Sequence, residues 1–154
     1  MNVRPELGEM MSLICFKAAI VGVEDTLGED GAAVVFIRAG KVRGNTVAQQ
    51  AGLVGTKAPV EVLVKALDGL LGKTGTQLCR VVGASVQGEQ IIIDTLETVC
   101  SANEPQGSSR KCTFTLGAVW GALESVMDKR YLGEHTDCVL RGGATDRFVF
   151  TPVF

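Results

Sequence analysis

Four residues in the last third of the chain carry side chains that could do chemistry together: Cys112, His135, Cys138 and Asp146. A thiolate, an imidazole and a carboxylate are all competent zinc ligands, and zinc accepts such mixed sets in tetrahedral geometry. Cys112 opens a helical pattern, and a helix N-terminus favours the thiolate, the form that binds metal. Asp146 follows a turn at Arg141-Gly142-Gly143 that folds it back toward Cys138. The four are therefore expected at one end of a sheet. His135 and Cys138 stand three residues apart, which in a regular strand puts them on opposite faces. The set thus requires a bulge or an irregular strand end near Thr136. The competing reading is that a lone histidine and scattered cysteines are ordinary packing residues.

Other routes to chemistry are closed one by one. His135 is the only histidine, so a Ser-His-Asp triad could be built only around it. No serine stands in Gly-x-Ser-x-Gly context, and there is no P-loop, Gly-x-Gly-x-x-Gly or His-Glu-x-x-His. Glu89, Asp94 and Glu97 do not form a paired-carboxylate couple. A protein without catalytic machinery of its own is the expectation. A net charge of -2 and 5% aromatic residues argue against a nucleic-acid surface. No apolar run reaches the ~18 residues of a membrane span. Five cysteines, an odd number without a secretory pattern, read as reduced thiols in the cytoplasm.

The elements that must position these residues follow from periodicity. Met10, Leu13, Ile14, Ala18 and Val21 recur at helical spacing, and the cluster Gly28-Glu29-Asp30-Gly31 ends that helix and begins the next. The second helix runs to about residue 51. Its Gly40 and Gly44, four apart, suggest close approach by another element. Pro59 starts a third helix marked by Val60, Leu63, Val64, Leu67 and Leu71. From Thr76 the pattern alternates. Gln87-Gly88-Glu89 is a turn before the β-branched run Ile91-Ile92-Ile93. Residues 101–111 are a loop. Thr113 to Asp128 is a fourth helix, with Gly117 and Gly121 again permitting close packing. Tyr131 to Leu140 and Arg147 to Val153 complete a second hairpin. The predicted order is ααα-ββ-α-ββ, an α+β domain over residues 1–154 with a helical layer on a four-stranded antiparallel sheet.

Three stretches together resemble a known family. These are Lys111-Cys112-Thr113-Phe114-Thr115-Leu116-Gly117 through Gly121, Glu134 to Gly142, and Arg147-Phe148. They look like the C-terminal signature of the vinyl-4-reductase-type, hydrocarbon-binding domain, which is similar to Bet-type subunits of transport-particle tethering complexes. Ile37 to Gly44 resembles that family's Gly-x-x-x-Gly segment.

The resemblance implies a homodimer and a largely apolar internal cavity for a small hydrophobic or aromatic ligand. Phe36, Ile37, Val64, Phe114, Trp120 and Phe148 are the candidates for its lining. Sensor members of the family hold zinc with Cys-x22-Glu-x2-Cys-x7-Cys. This chain reads Cys112-x22-His135-x2-Cys138-x7-Asp146. The intervals fit, with His135 in the Glu position and Asp146 in that of the last Cys. Two readings stay open: an altered working zinc site, or a decayed one whose residues hydrogen-bond. A dimeric scaffold and an accessory to a tetrapyrrole-modifying enzyme are the alternatives the family suggests.

Overall fold

The computed structural model describes residues 4–154. Ser12 starts the first helix, α1 (Leu13–Gln50), by accepting a hydrogen bond from the Ile14 amide at 3.2 Å. The two helices expected here are the two arms of α1, and they meet at Gly28. Gly28, with φ 75° and ψ 172°, leaves helical geometry and kinks the rod rather than ending it. Glycine alone takes that φ without cost, so the cluster at 28–31 bends the chain instead of making a loop.

The apolar stripe read in the first half of α1 does not face the core. Met10, Leu13, Ile14 and Val21 are exposed, and Ile20 is the buried residue. What packs on this arm is the segment leading to the last helix, and much of it is polar. Phe16 meets Phe114 edge to face at 5.1 Å. Lys17 bonds Glu104 and the Cys100 carbonyl, and Glu24 pairs with Arg110, which also reaches Glu104 at 2.9 Å. The register of the arm is set by these ion pairs, and its apolar stripe is left outside.

The Lys17 hydrogen bond holds the Glu104 carboxyl below its usual range, against the opposing effect of burial and helped by Arg110. A depressed carboxyl stabilises the fold above its unfolded pKa and loses that effect as pH falls through the folded value. Glu104→Gln is therefore expected to cost about 1–2 kcal/mol at pH 7. The difference from wild type should shrink in urea melts as pH falls below the ordinary glutamate range.

The short helix α2 (Val60–Leu71) begins after Pro59 and buries Val60, Leu63, Leu67 and Leu71, the predicted stripe, against the first strand. The strands are β1 (Arg80–Gln87), β2 (Gln90–Leu96), β3 (Tyr131–Asp137) and β4 (Asp146–Pro152), in the order β1-β2-β4-β3, all antiparallel. Between the hairpins lies α3 (Thr113–Met127), closed by Asp128 in the left-handed region. This is the expected α+β arrangement, with three helices because the first two are joined.

On β4 the buried residues alternate: Asp146, Phe148, Phe150 and Pro152. Phe148 and Phe150 are fully buried in the core. Each contributes roughly 2–3 kcal/mol of apolar burial. Asp146 occupies the same inward row, a carboxylate where the period calls for an apolar side chain.

Helices α1 and α3 cross backbone to backbone. A Cβ on Gly40 would lie 2.2 Å from the Phe114 carbonyl oxygen, and one on Gly117 would lie 2.3 Å from that of Ile37. The two glycine pairs noted in the sequence face each other, and this contact fixes where α3 begins.

Candidate metal centre

Three of the four predicted ligands come together. One donor atom each from Cys112, His135 and Asp146 lies within 4.8 Å of the others. The strand irregularity that the sequence demanded is present: the β3–β4 register shifts between His135 and Asp137, leaving Thr136 as the extra residue. His135 faces inward opposite Phe148, its ring 5.2 Å away edge to face. Cys138 is also buried. It stands outside the set of three, although its thiol still reaches Asp146.

Asp146 is fully buried. His135 Nε2 lies 3.2 Å from its Oδ1, so the tautomer protonated at Nε2 donates to it. The Val139 amide donates to the same oxygen at 3.3 Å, and the Thr98 hydroxyl lies 3.5 Å from Oδ2. Burial pushes the Asp146 carboxyl up, but the hydrogen bonds from His135 and Cys138 outweigh it and hold it below its usual range. Burial raises the Cys138 thiol, and the hydrogen bond to Asp146 adds to the rise.

Cys112 is the N-cap of α3 yet makes no cap hydrogen bond. Its sulfur lies 3.1 Å from Thr98 Oγ1. The neighbouring Cys100 thiol, burial and the charge of Asp146 push the Cys112 thiol far up. The Cys100 thiol is lowered by the Cys112 hydrogen bond, against burial, with support from the Thr115 and Phe114 amides at the start of α3.

From the sequence, Cys100 stands at a strand end beside the polar loop, with a structural role preferred over a fifth metal-side group or a redox partner of Cys112, and Thr98 is not singled out at all. Thr98 follows β2 with no motif around it, and only its zero exposure marks it. Cys79 is buried, and burial pushes its thiol up to about 12. Cys15 is exposed while the other four cysteines are buried. Brief treatment of the native protein with iodoacetamide is therefore expected to modify one thiol, Cys15, before any other. Peptide mapping that finds Cys79 labelled at a comparable rate would contradict this burial.

The donor set fits zinc. The sulfur, nitrogen and oxygen types are all zinc ligands, and ordinary zinc bond lengths put neighbouring donors roughly 3.3–3.9 Å apart, about 1 Å closer than the widest spacing here. His135 Nδ1 is buried without a partner, and Thr115 Oγ1 at the head of α3 is likewise unpartnered. A buried carboxylate beside two buried thiols lacks a lysine or arginine among its hydrogen-bond partners. A divalent cation held here would supply that missing charge.

A cleft of about 390 Å³ opens beside the cluster, between α1, the head of α3 and β3. Cys112 and His135 form part of its wall, Ala33, Ile37 and Leu116 give it an apolar side, and Lys111 and Glu134 line it as well. Of the six residues expected to line a ligand cavity, Ile37 lies in this wall. Phe36 and Phe148 are buried in the core, and Val64, Phe114 and Trp120 pack against it half-buried. Trp120 is pinned: its indole donates to Glu124 at 3.0 Å and to the Tyr131 carbonyl at 3.1 Å, with the Lys41 ammonium 3.9 Å above its ring.

With the geometry in place, comparison with solved structures defines the class. The fold matches the phenol-responsive sensory domain of the transcription activator PoxR, crystallised with phenol, at TM-score 0.70 and 19% identity over 94% of this chain and 76% of that one. It also matches a trafficking protein particle complex subunit 3 from Naegleria fowleri covalently bound to palmitic acid, at TM-score 0.66 and 14% identity over 92% and 93% of the two chains. A vinyl-4-reductase family protein from Methanocaldococcus jannaschii matches at TM-score 0.54 and 14% identity over 97% and 86%. The fold is thus the one that the resemblance in the sequence implied. No protein-family model and no curated protein matches the chain. Among the described residues no helix is long and apolar enough to cross a membrane.

Proposed function

We propose that this chain is a non-catalytic module that binds a small hydrophobic or aromatic molecule beside a zinc ion held by Cys112, His135 and Asp146. The observation that carries the reading is the cleft whose wall contains two of the three clustered donors. Two solved structures of the same fold hold phenol and palmitic acid, which supports a small apolar ligand here. When bound, zinc supplies positive charge to the buried carboxylate and thiolate. The chain's own residues do the positioning. The bulge at Thr136 turns His135 inward, Thr98 holds the Cys112 sulfur, and the Val139 amide orients Asp146.

Ligand burial at roughly 25 cal/mol per Å² drives binding, and a few polar groups set orientation. Ile37 meets the ligand first. Phe36, Val64, Phe114 and Phe148 are the side chains that repack as its apolar part enters, with Trp120 a fixed part of the wall. The proposal includes a reducing, cytoplasmic setting, which five unpaired cysteines suit. It also includes a homodimer, for which exposed Ile14, Val21, Leu27, Val34 and Val42 on α1 offer apolar surface.

That same surface favours the second reading, a scaffold whose function is assembly. Native mass spectrometry of the purified full chain separates the two. A co-purifying small molecule at one per chain supports binding, and a dimer with nothing bound supports the scaffold.

A further inference from the structure

We infer that the metal centre keeps one coordination position open toward the cleft, so that the ligand binds zinc directly through an oxygen donor. The inference rests on the zinc reading above and goes beyond a buried structural ion. A structural zinc site is closed by four protein ligands, whereas an exchangeable site has three and leaves the fourth to water or ligand.

Three donors cluster here, and the candidate for the fourth, Cys138, lies outside the cluster. Its backbone is held there. The Arg141 and Gly143 amides both donate to the Cys138 carbonyl, at 3.0 and 2.8 Å. A Cβ on Gly143 would sit 2.9 Å from the Cys138 nitrogen and oxygen, so the turn is packed tightly onto this residue. Asp146 is fully enclosed, but Cys112 and His135 both face the cleft. A donor entering along the apolar side formed by Ala33, Ile37 and Leu116 therefore arrives at the two ligands that border open space. Lys111 in the same wall favours an anion, while Glu134 disfavours a second negative charge. The class of ligand that satisfies all of this has an apolar ring or chain and a single anionic oxygen, a phenolate or a carboxylate.

Cobalt(II) in place of zinc makes the coordination sphere visible without any assay of activity. The full chain, loaded with cobalt(II), is titrated first with azide and then with benzoate while the visible spectrum is followed. The expected result is charge-transfer intensity for one thiolate, and d–d bands that change saturably with each anion. Cys138→Ser should leave the cobalt stoichiometry and the charge-transfer intensity unchanged. A spectrum indifferent to both anions overturns the open position, as does a loss of half the thiolate intensity in Cys138→Ser. If that variant does not fold, the anion titration of the unaltered chain decides alone. Failure to take up cobalt at all overturns the zinc reading and this inference together, a result distinct from a loaded but unresponsive centre.

Discussion

Gly44→Ala is expected to destabilise the protein by about 3 kcal/mol or more, although it adds one methyl group and removes a poor helix former. The added Cβ would lie 2.2 Å from the Ala118 carbonyl oxygen and 2.5 Å from the Ala122 nitrogen. Both are backbone atoms of α3 and cannot rotate away as a side chain would. Relief requires sliding α3 off α1, and Gly121 opposes that from the other side, its own missing Cβ being 2.5 Å from the Lys41 carbonyl. Gly22→Ala, in open space on the same helix, is the control. It should be neutral or stabilise by up to about 1 kcal/mol. Urea melts of the two variants beside the parent check both. Equal stability of Gly44→Ala and the parent would mean that the two helices do not touch as described.

Removing zinc is the second large effect. At free zinc about a thousandfold above the dissociation constant, binding stabilises the folded state by about 4 kcal/mol. For a domain of this size that corresponds to a shift in Tm of about 10 °C. Chelation of protein purified without chelators is expected to lower Tm by that order, and added zinc to restore it. Asp146→Asn keeps the shape of the side chain and its contact with Thr98 but removes the charge, so its melting should ignore both chelator and zinc. Fewer than about 0.2 zinc per chain by elemental analysis, with a Tm unmoved by chelator, would refute occupancy and leave Asp146 and His135 as a hydrogen-bonded pair.

Much of this geometry was legible in the sequence, for local reasons. Both hairpins could be read because Gly88 and the Gly142-Gly143 pair mark turns, and because β4 alternates strictly from Asp146 to Pro152. The bulge at Thr136 followed from demanding that His135 and Cys138 share a face. The glycine pairs 40/44 and 117/121 were readable as places of close approach, though not as one another's partners until the helices were seen to cross.

What failed depended on contacts distant in sequence. Nothing near Ile14 or Val21 says that Lys17 and Glu24 will be claimed by Glu104 and Arg110, which is what turns the stripe outward. The break expected at Gly28 is present as a kink between two helical arms, and what the local glycine signal could not say is that no loop separates them. Thr98 was overlooked as a site residue because the head of α3, whose Cys112 sulfur it meets, reaches it only by tertiary packing. Trp120, a candidate for the cavity wall in the sequence, has a role there that no local pattern could show. Its indole donates to Glu124 and to the Tyr131 carbonyl, which ties α3 to β3.

The carboxylate in the inward row of β4 also guards against mispairing. In the native ladder Asp146 sits opposite Thr95, with Phe148 opposite Ile93 and Phe150 opposite Ile91. A slip of β4 by two positions would keep every aromatic ring on the greasy side and would satisfy the pleat equally well. It would also carry the Asp146 charge to face Ile93, away from Thr98 and the Val139 amide, at a cost of several kcal/mol. One acidic residue at the end of the strand thus tells the correct alignment from its nearest competitor while the chain is still folding.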